Sequence, residues 1–325
     1  MLITRFGVDD LAATRFAISP LCDTVASRWC VHEPARNAIH LPWLKTAVRV
    51  DRSAEFRPHR ALMDALIRPG VWLPDFLTPP PQTPLTDVHS ELAVLAATSP
   101  ETVRADLEAV DSHTPLTDLG LRVHAEPQRY VPLLVDALET WWQLAIAPVW
   151  PRMRTLLEAD IAYRTRTLAD HGPKQMFAEL HPALRWNQGS LELQLRWDIE
   201  RDLRGDGMPL VPSVFLGSRP ALNVRRESTV AMYYSARAVG TLWERSPSPT
   251  ALPLIRLLGK TRARMLAILD APQTTSQLAA RLELAPGGVS AHLKVLHEAG
   301  LLTRHRQGKQ VVYVCTELGR DLIGQ

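Results

Sequence analysis

From Pro272 to Leu302 the chain reads PQTTSQLAARLELAPGGVSAHLKVLHEAGLL, and TRHRQGKQVVYV follows at once over Thr303–Val314. Two short amphipathic helices, a turn between them and a charged ribbon behind them leave few folds open. Thr274, Thr275 and Ser276 form a polar run suited to starting a helix. Leu278, Ala279 and Leu282 then fall on one face. Leu284 closes the turn, and Pro286 suits the first position of the next helix, where its missing N–H is no loss. Val289, Leu293 and Leu296 recur at i, i+4 and i+7 and must point inward. Ser290, Ala291, Lys294 and His297 are left on the outer face, with His292 packed at the boundary. Gly287 and Gly288 open this helix, where small residues let the backbone come close to phosphates or base edges.

In the ribbon, Leu301–Arg306 and Gln310–Val314 are strand-like and flank Gln307, Gly308 and Lys309. Gly308 supplies the positive φ of a tight hairpin turn. Val311 and Tyr313 share one parity and are expected to pack back on the helices, while Arg304, Arg306 and Lys309 cluster toward the tip. A helix-turn-helix with a basic wing points to double-stranded DNA as partner. The start of the second helix would enter the major groove. Ser290 would donate or accept there, and Lys294 would reach a guanine or a phosphate. The wing would touch phosphates or the minor groove. The expected interface is Thr275, Ser276, Gly287, Gly288, Ser290, Ala291, Lys294, Arg304, Arg306, Gln307 and Lys309.

Three stretches carry a resemblance: GGVSAHLKVLHEAGLL (287–302), HRQGKQVVY (305–313) and LLGKTRARMLAIL (257–269). Over Leu257–Ile323 the chain resembles the winged-helix domain of the ArsR family of bacterial repressors. The resemblance implies a homodimer on a pseudo-palindromic operator, a dimerising first helix near Ala251–Leu258 and a closing helix near Glu317–Ile323. This chain departs from the metal-sensing members. TSQLAARL holds no Cys, His or carboxylate pair, ELGRDLIGQ holds no histidine, and Cys315 alone cannot build a soft-metal site. Neither a metal nor a cofactor is expected.

Residues 252–325 carry ten lysines and arginines against five acids, whereas the whole chain has a net charge of only +3. Positive charge therefore gathers where the wing lies. All nine tryptophans precede residue 245, and Tyr313 is the single aromatic after it. This shift marks a boundary, with RSPSPTALP as connector. The expected organisation is an effector-binding and dimerisation domain over 1–245, a linker over 246–253 and a winged-helix domain over 254–325. Three scattered cysteines and no apolar run of membrane-spanning length point to a reducing cytoplasm, at the nucleoid, and to no membrane partner. The first residues, MLITRFGVDD, are not expected to act as a signal peptide.

The expected fold class is α+β: a mostly helical N-terminal domain with a small antiparallel meander, plus the C-terminal winged helix-turn-helix. Asp9 or Asp10 would cap a helix running towards Trp29. Further helices are expected at Glu55–Ile67, Thr86–Thr98 and Glu101–Val110, and a long helical stretch from Tyr130, punctuated by Pro148 and Pro151, to about Asp170. Strands are expected at Leu191–Trp197, Leu210–Leu216, Ala221–Val224 and Thr229–Tyr234, with Met1–Phe6 joining them. TPPPQTP (78–84) reads as an extended loop. The segments HLPW (40–43) and LRW (184–186) ahead of such a domain resemble a subgroup of actinobacterial regulators, which supplies no ligand. Trp43, Trp141, Trp142 and Trp186 are candidates to line an apolar pocket for a small-molecule effector.

No GxSxG, P-loop, GxGxxG after a strand or HExxH motif occurs, so an enzyme is not expected. Asp87–His89 and Asp111–His113 read as capped loops. Cys22 and Cys30 read as buried thiols. The chain is expected to be a DNA-binding transcriptional regulator, a repressor. The alternatives are a winged helix that binds a protein, against which Arg304, Arg306 and Lys309 argue, and an N-terminal enzyme fused to a DNA-binding domain.

Overall fold

A computed structural model describes residues 2–193, 199–217, 220–224, 229–243, 251–269, 273–282, 284–307, 310–316, 318–319 and 322. The chain divides into two compact units, residues 1–243 and 244–325.

The first unit contains helices α1 (Val8–Ala13), α2 (Pro20–His32), α3 (Leu41–Asp51), α4 (Arg57–Leu66), α5 (Val88–Ala96), α6 (Pro100–Asp111), α7 (Asp118–Ala125), α8 (Pro127–Trp141) and α9 (Trp150–Leu180). Its strands are β1 (Leu2–Arg5), β2 (Arg15–Phe16), β3 (Leu184–Asn187), β4 (Ser190–Leu193), β5 (Ile199–Asp202), β6 (Pro209–Ser213), β7 (Ala221–Asn223) and β8 (Ala231–Ser235). The single helix expected after Asp9 is two helices with β2 between them. Ser19 and Pro20 restart the chain: the Ser19 hydroxyl accepts from the Cys22 amide at 3.0 Å, and Pro20 takes the first turn. Asp10 lies inside α1. Its carboxylate accepts from the Gly7 amide at 2.8 Å and the Gly205 amide at 2.7 Å, tying the start of the chain to a distant loop.

α8 ends in a π turn over Trp142–Ile146. Pro148 has no amide to give to the Leu144 carbonyl, so the regular ladder cannot pass it. The Trp43 indole donates to the Ala145 carbonyl at 2.9 Å and satisfies one acceptor this turn presents. α9 runs past the expected end at Asp170 to Leu180, but with a kink at Gly172, whose φ is 78°.

The strands form two mixed sheets, ordered β3-β4-β1-β5 and β2-β6-β8-β7. β3–β4, β4–β1 and β7–β8 are antiparallel, whereas β1–β5, β2–β6 and β6–β8 are parallel. The expected antiparallel meander therefore accounts for only part of the pairing. Alternation along a strand reports the buried face, and the direction of a partner distant in sequence is set by packing. Trp197, expected on a strand, lies outside the described residues.

Two large cores result. One is helical and holds Trp141, with the fully buried Arg28 guanidinium over the Trp141 and Phe56 rings at 4.5 and 5.1 Å and paired to Asp51 at 2.8 Å and Asp64 at 2.7 Å. The other joins the end of α9 to the sheets, with Phe177 stacked on Trp186 at 5.1 Å.

The second unit contains α10 (Ala251–Leu258), α11 (Lys260–Ile268), β9 (Gln273–Thr274), α12 (Thr275–Leu282), α13 (Pro286–Glu298), β10 (Leu302–Gln307) and β11 (Gln310–Cys315), with sheet order β10-β11-β9. Met265, Leu266, Leu278, Val289, Leu293, Leu296, Leu302 and Cys315 form its own core. Residues 251–253, expected in the linker, begin α10, while 246–250 lie outside the described residues. Of the expected closing helix, Leu318, Gly319 and Leu322 are helical and the remainder lies outside the described residues. The chain is α+β, a helical N-terminal unit followed by a winged helix-turn-helix.

Candidate nucleic-acid interface

A reciprocal cap fixes the entry to α12. The Thr274 amide donates to the Gln277 side-chain oxygen at 2.8 Å, and the Gln277 amide donates back to the Thr274 hydroxyl at 3.3 Å. The sequence TTSQ thus satisfies two helix-start donors at once. Thr274 also pairs with Val312 of β11, so the wing and the helix pair share one residue.

α13 begins with Pro286 in its first turn and buries Val289, Leu293 and Leu296. It stops at Gly300, where φ is 72°. The Gly300 amide donates to the His297 carbonyl and the Leu301 amide to the Leu296 carbonyl, both at 3.0 Å. That paired closure needs a left-handed residue, which glycine supplies without strain, and Leu301 packs back into the core beside Leu296. The C-terminal end of the helix is therefore fixed by hydrogen bonds, and the three buried residues hold its outward face in register.

That face exposes Gly287, Gly288, Ser290, Ala291 and Lys294, as the sequence implies. Lys294 is mostly exposed and lies 3.9 Å from Glu298, a loose surface pair that leaves the ammonium available. His297 is not on the outer face. It is half-buried, and its Nδ1 lies 2.9 Å from the Leu302 carbonyl, because α13 ends one residue later and the chain turns back at Gly300 into β10. Thr275 is half-buried and Ser276 exposed. Sequence reasoning missed Val295, 40% exposed, whose spacing four residues after Ala291 was the available signal.

In the wing, Arg304 pairs in register with Tyr313 and Arg306 with Val311. Both arginines are exposed, as is His305 between them. Tyr313 packs on the core, but Val311 is 42% exposed, since at the tip the ribbon has run beyond the helices. Gln307 keeps its backbone pairing to Gln310. Its side chain, and the whole of Gly308 and Lys309, lie outside the described residues.

The four tryptophans do not gather. Trp43, Trp141 and Trp142 are buried in the helical core, and Trp186 belongs to the other core. The Trp141 indole is already bound to the Ser27 hydroxyl at 2.8 Å. A pocket of about 180 Å³ lies between Pro79–Asp87 and α5, and none of the four lines it. Cys22 and Cys30 sit in different cores, and burial pushes the Cys30 thiol up to about 12. Asp87 caps α5 through the His89 and Ser90 amides, and Asp111 accepts from the Leu116 amide at 2.8 Å. Among the described residues no helix is long and apolar enough to cross a membrane.

Residues 249–305 match the family model of a helix-turn-helix domain, a family that includes ArsR-type regulators. The second unit is a DNA-binding helix-turn-helix domain. The chain that carries it is accordingly a DNA-binding regulator of transcription. No curated protein and no solved structure matches the chain.

Proposed function

We propose that the chain is an ArsR-like repressor that binds a pseudo-palindromic operator as a homodimer and acts by binding, without a catalytic step. The observation that carries this reading is the pair Gly287 and Gly288. Neither has a positive φ, and a Cβ built at either would meet nothing within 4 Å. Glycine within a helix costs roughly 0.5–1 kcal/mol relative to alanine. Nothing inside the fold fills the space beside them, and the bare backbone they leave at the start of α13 would let an outside surface approach the helix closely. Phosphates and base edges at the start of an α13 seated in the major groove have that need.

Two such helices, one from each protomer, would enter grooves about 34 Å apart. Arg304 and Arg306 would lie along the phosphates, so binding would weaken as salt is raised. A small molecule held by the first unit would release the operator only in so far as it prefers one arrangement of the dimer over the other. The test is selection of bound duplexes from genomic promoter fragments with the purified full-length protein. Recovery of inverted repeats spaced by one helical turn supports the reading. Absence of any retained fragment at low ionic strength overturns it.

A further inference from the structure

We infer that α13 reads thymine methyl groups, through Ala291 and Val295, as the main base-specific contact of each half-site. This rests on the proposed docking of α13 in the major groove. With Val289, Leu293 and Leu296 buried, the outward face carries two rows. Gly287, Ala291 and Val295 follow one another at i, i+4 and i+8, a continuous ridge without a polar side-chain atom. Ser290, Lys294 and Glu298 form the row beside it.

Base edges in the major groove differ in what they demand. Adenine is matched by Asn or Gln, guanine by Arg or Lys, cytosine by Asp or Glu, and the thymine C5 methyl by an apolar side chain. The exposed positions of the first two turns of α13, Pro286 to Ala291, hold no amide, guanidinium or carboxylate. Lys294 can serve a guanine, and Ser290 discriminates little. Glu298 makes the last position of the face acidic, so the helix is expected to meet the duplex with the residues ahead of it. An alanine methyl and a 40% exposed valine, on a ridge that starts with bare backbone, are what remain to meet a base. Val295 gains nothing from water and would bury its methyls against another methyl.

The experiment uses full-length protein and the tightest duplex recovered from a random library. Each thymine is replaced singly by deoxyuridine, which removes the methyl and nothing else. Affinity should fall about fourfold at one or two positions per half-site, the equivalent of one methyl group's transfer from water. Ala291→Gly and Val295→Ser, which removes both γ-methyl groups, should each abolish the sensitivity at one such position. The inference is overturned if the selected half-sites lack thymine, if no deoxyuridine substitution weakens binding, or if both variants keep the full uracil penalty. Failure to recover any bound duplex overturns the DNA-binding reading itself, and this inference with it.

Discussion

Two glycines of the second unit answer to different masters. A Cβ on Gly319 would lie 2.4 Å from the Leu301 carbonyl oxygen and 2.6 Å from the Cys315 sulfur, so Gly319→Ala must push the end of the chain off the core. Overpacking of that kind costs about 1–3 kcal/mol. Gly287→Ala meets open space and should instead stabilise α13, by about 0.5 kcal/mol, while weakening operator binding. Native-state hydrogen exchange at the Leu293 and Leu296 amides reads the stability of both variants, and a gel shift reads function. If Gly287→Ala strengthens or leaves unchanged the binding of DNA, close approach at that residue is ruled out.

The first unit carries its titratable strain at Glu91 and Asp23. Burial raises Glu91 to about 8 and Asp23 to about 6, against ordinary values of 4.5 and 3.8. Both bind a proton more tightly when folded, so their contribution is fully present below about pH 4 and is lost as pH rises through 6 and 8. His40 runs the other way. Burial lowers it to about 4, so its contribution is present above 6.5 and lost as pH falls. Glu91→Gln keeps an oxygen for the Leu21 amide, which the carboxylate now accepts at 2.8 Å. The variant should gain stability at pH 8 and little at pH 4.5. Urea unfolding followed by tryptophan fluorescence reports this unit alone, because every tryptophan precedes residue 244. An equal gain at both pH values would mean that Glu91 does not titrate there.

At the scale of elements, legibility tracked how local the cause was. The α12–α13 pair was readable because capping residues, a proline in the first turn and one apolar face all lie within thirty residues. His297 was misplaced because its partner, the Leu302 carbonyl, belongs to the next element. The same limit hid the parallel pairing of β2 with β6, which joins Arg15 to Pro209. The wing, being local, yields a direct expectation. Arg304→Ala with Arg306→Ala should reduce the slope of log affinity against log salt by about two, uniformly across sequences, since each phosphate contact contributes about 0.9. Titrations at several salt concentrations measure it. An unchanged slope would take β10 off the phosphate backbone.

For the whole molecule, the sequence located the second unit through motif and charge but assigned the tryptophans of the first to a pocket that they do not share. Tryptophan is enriched both in cores and in binding sites, and only tertiary contacts separate the two uses. Those contacts put three of the four in one core and Trp186 in another. The proposed homodimer requires a contact between protomers. α10 offers a local answer: Ile255 and Leu258 pack on the domain core, whereas Leu257 is 72% exposed. An apolar side chain left so bare on a helix is suited to a second copy. Burying one leucine contributes about 1.5–3 kcal/mol, and each 1.4 kcal/mol is about tenfold. Leu257→Glu should therefore weaken self-association roughly ten- to a hundredfold in sedimentation velocity and weaken operator binding with it. The isolated unit 244–325 has its own core and should fold, dimerise through Leu257 and retain DNA binding. If that fragment stays monomeric at concentrations where the full chain is dimeric, and Leu257→Glu leaves the full chain dimeric, the contact between protomers belongs to the first unit.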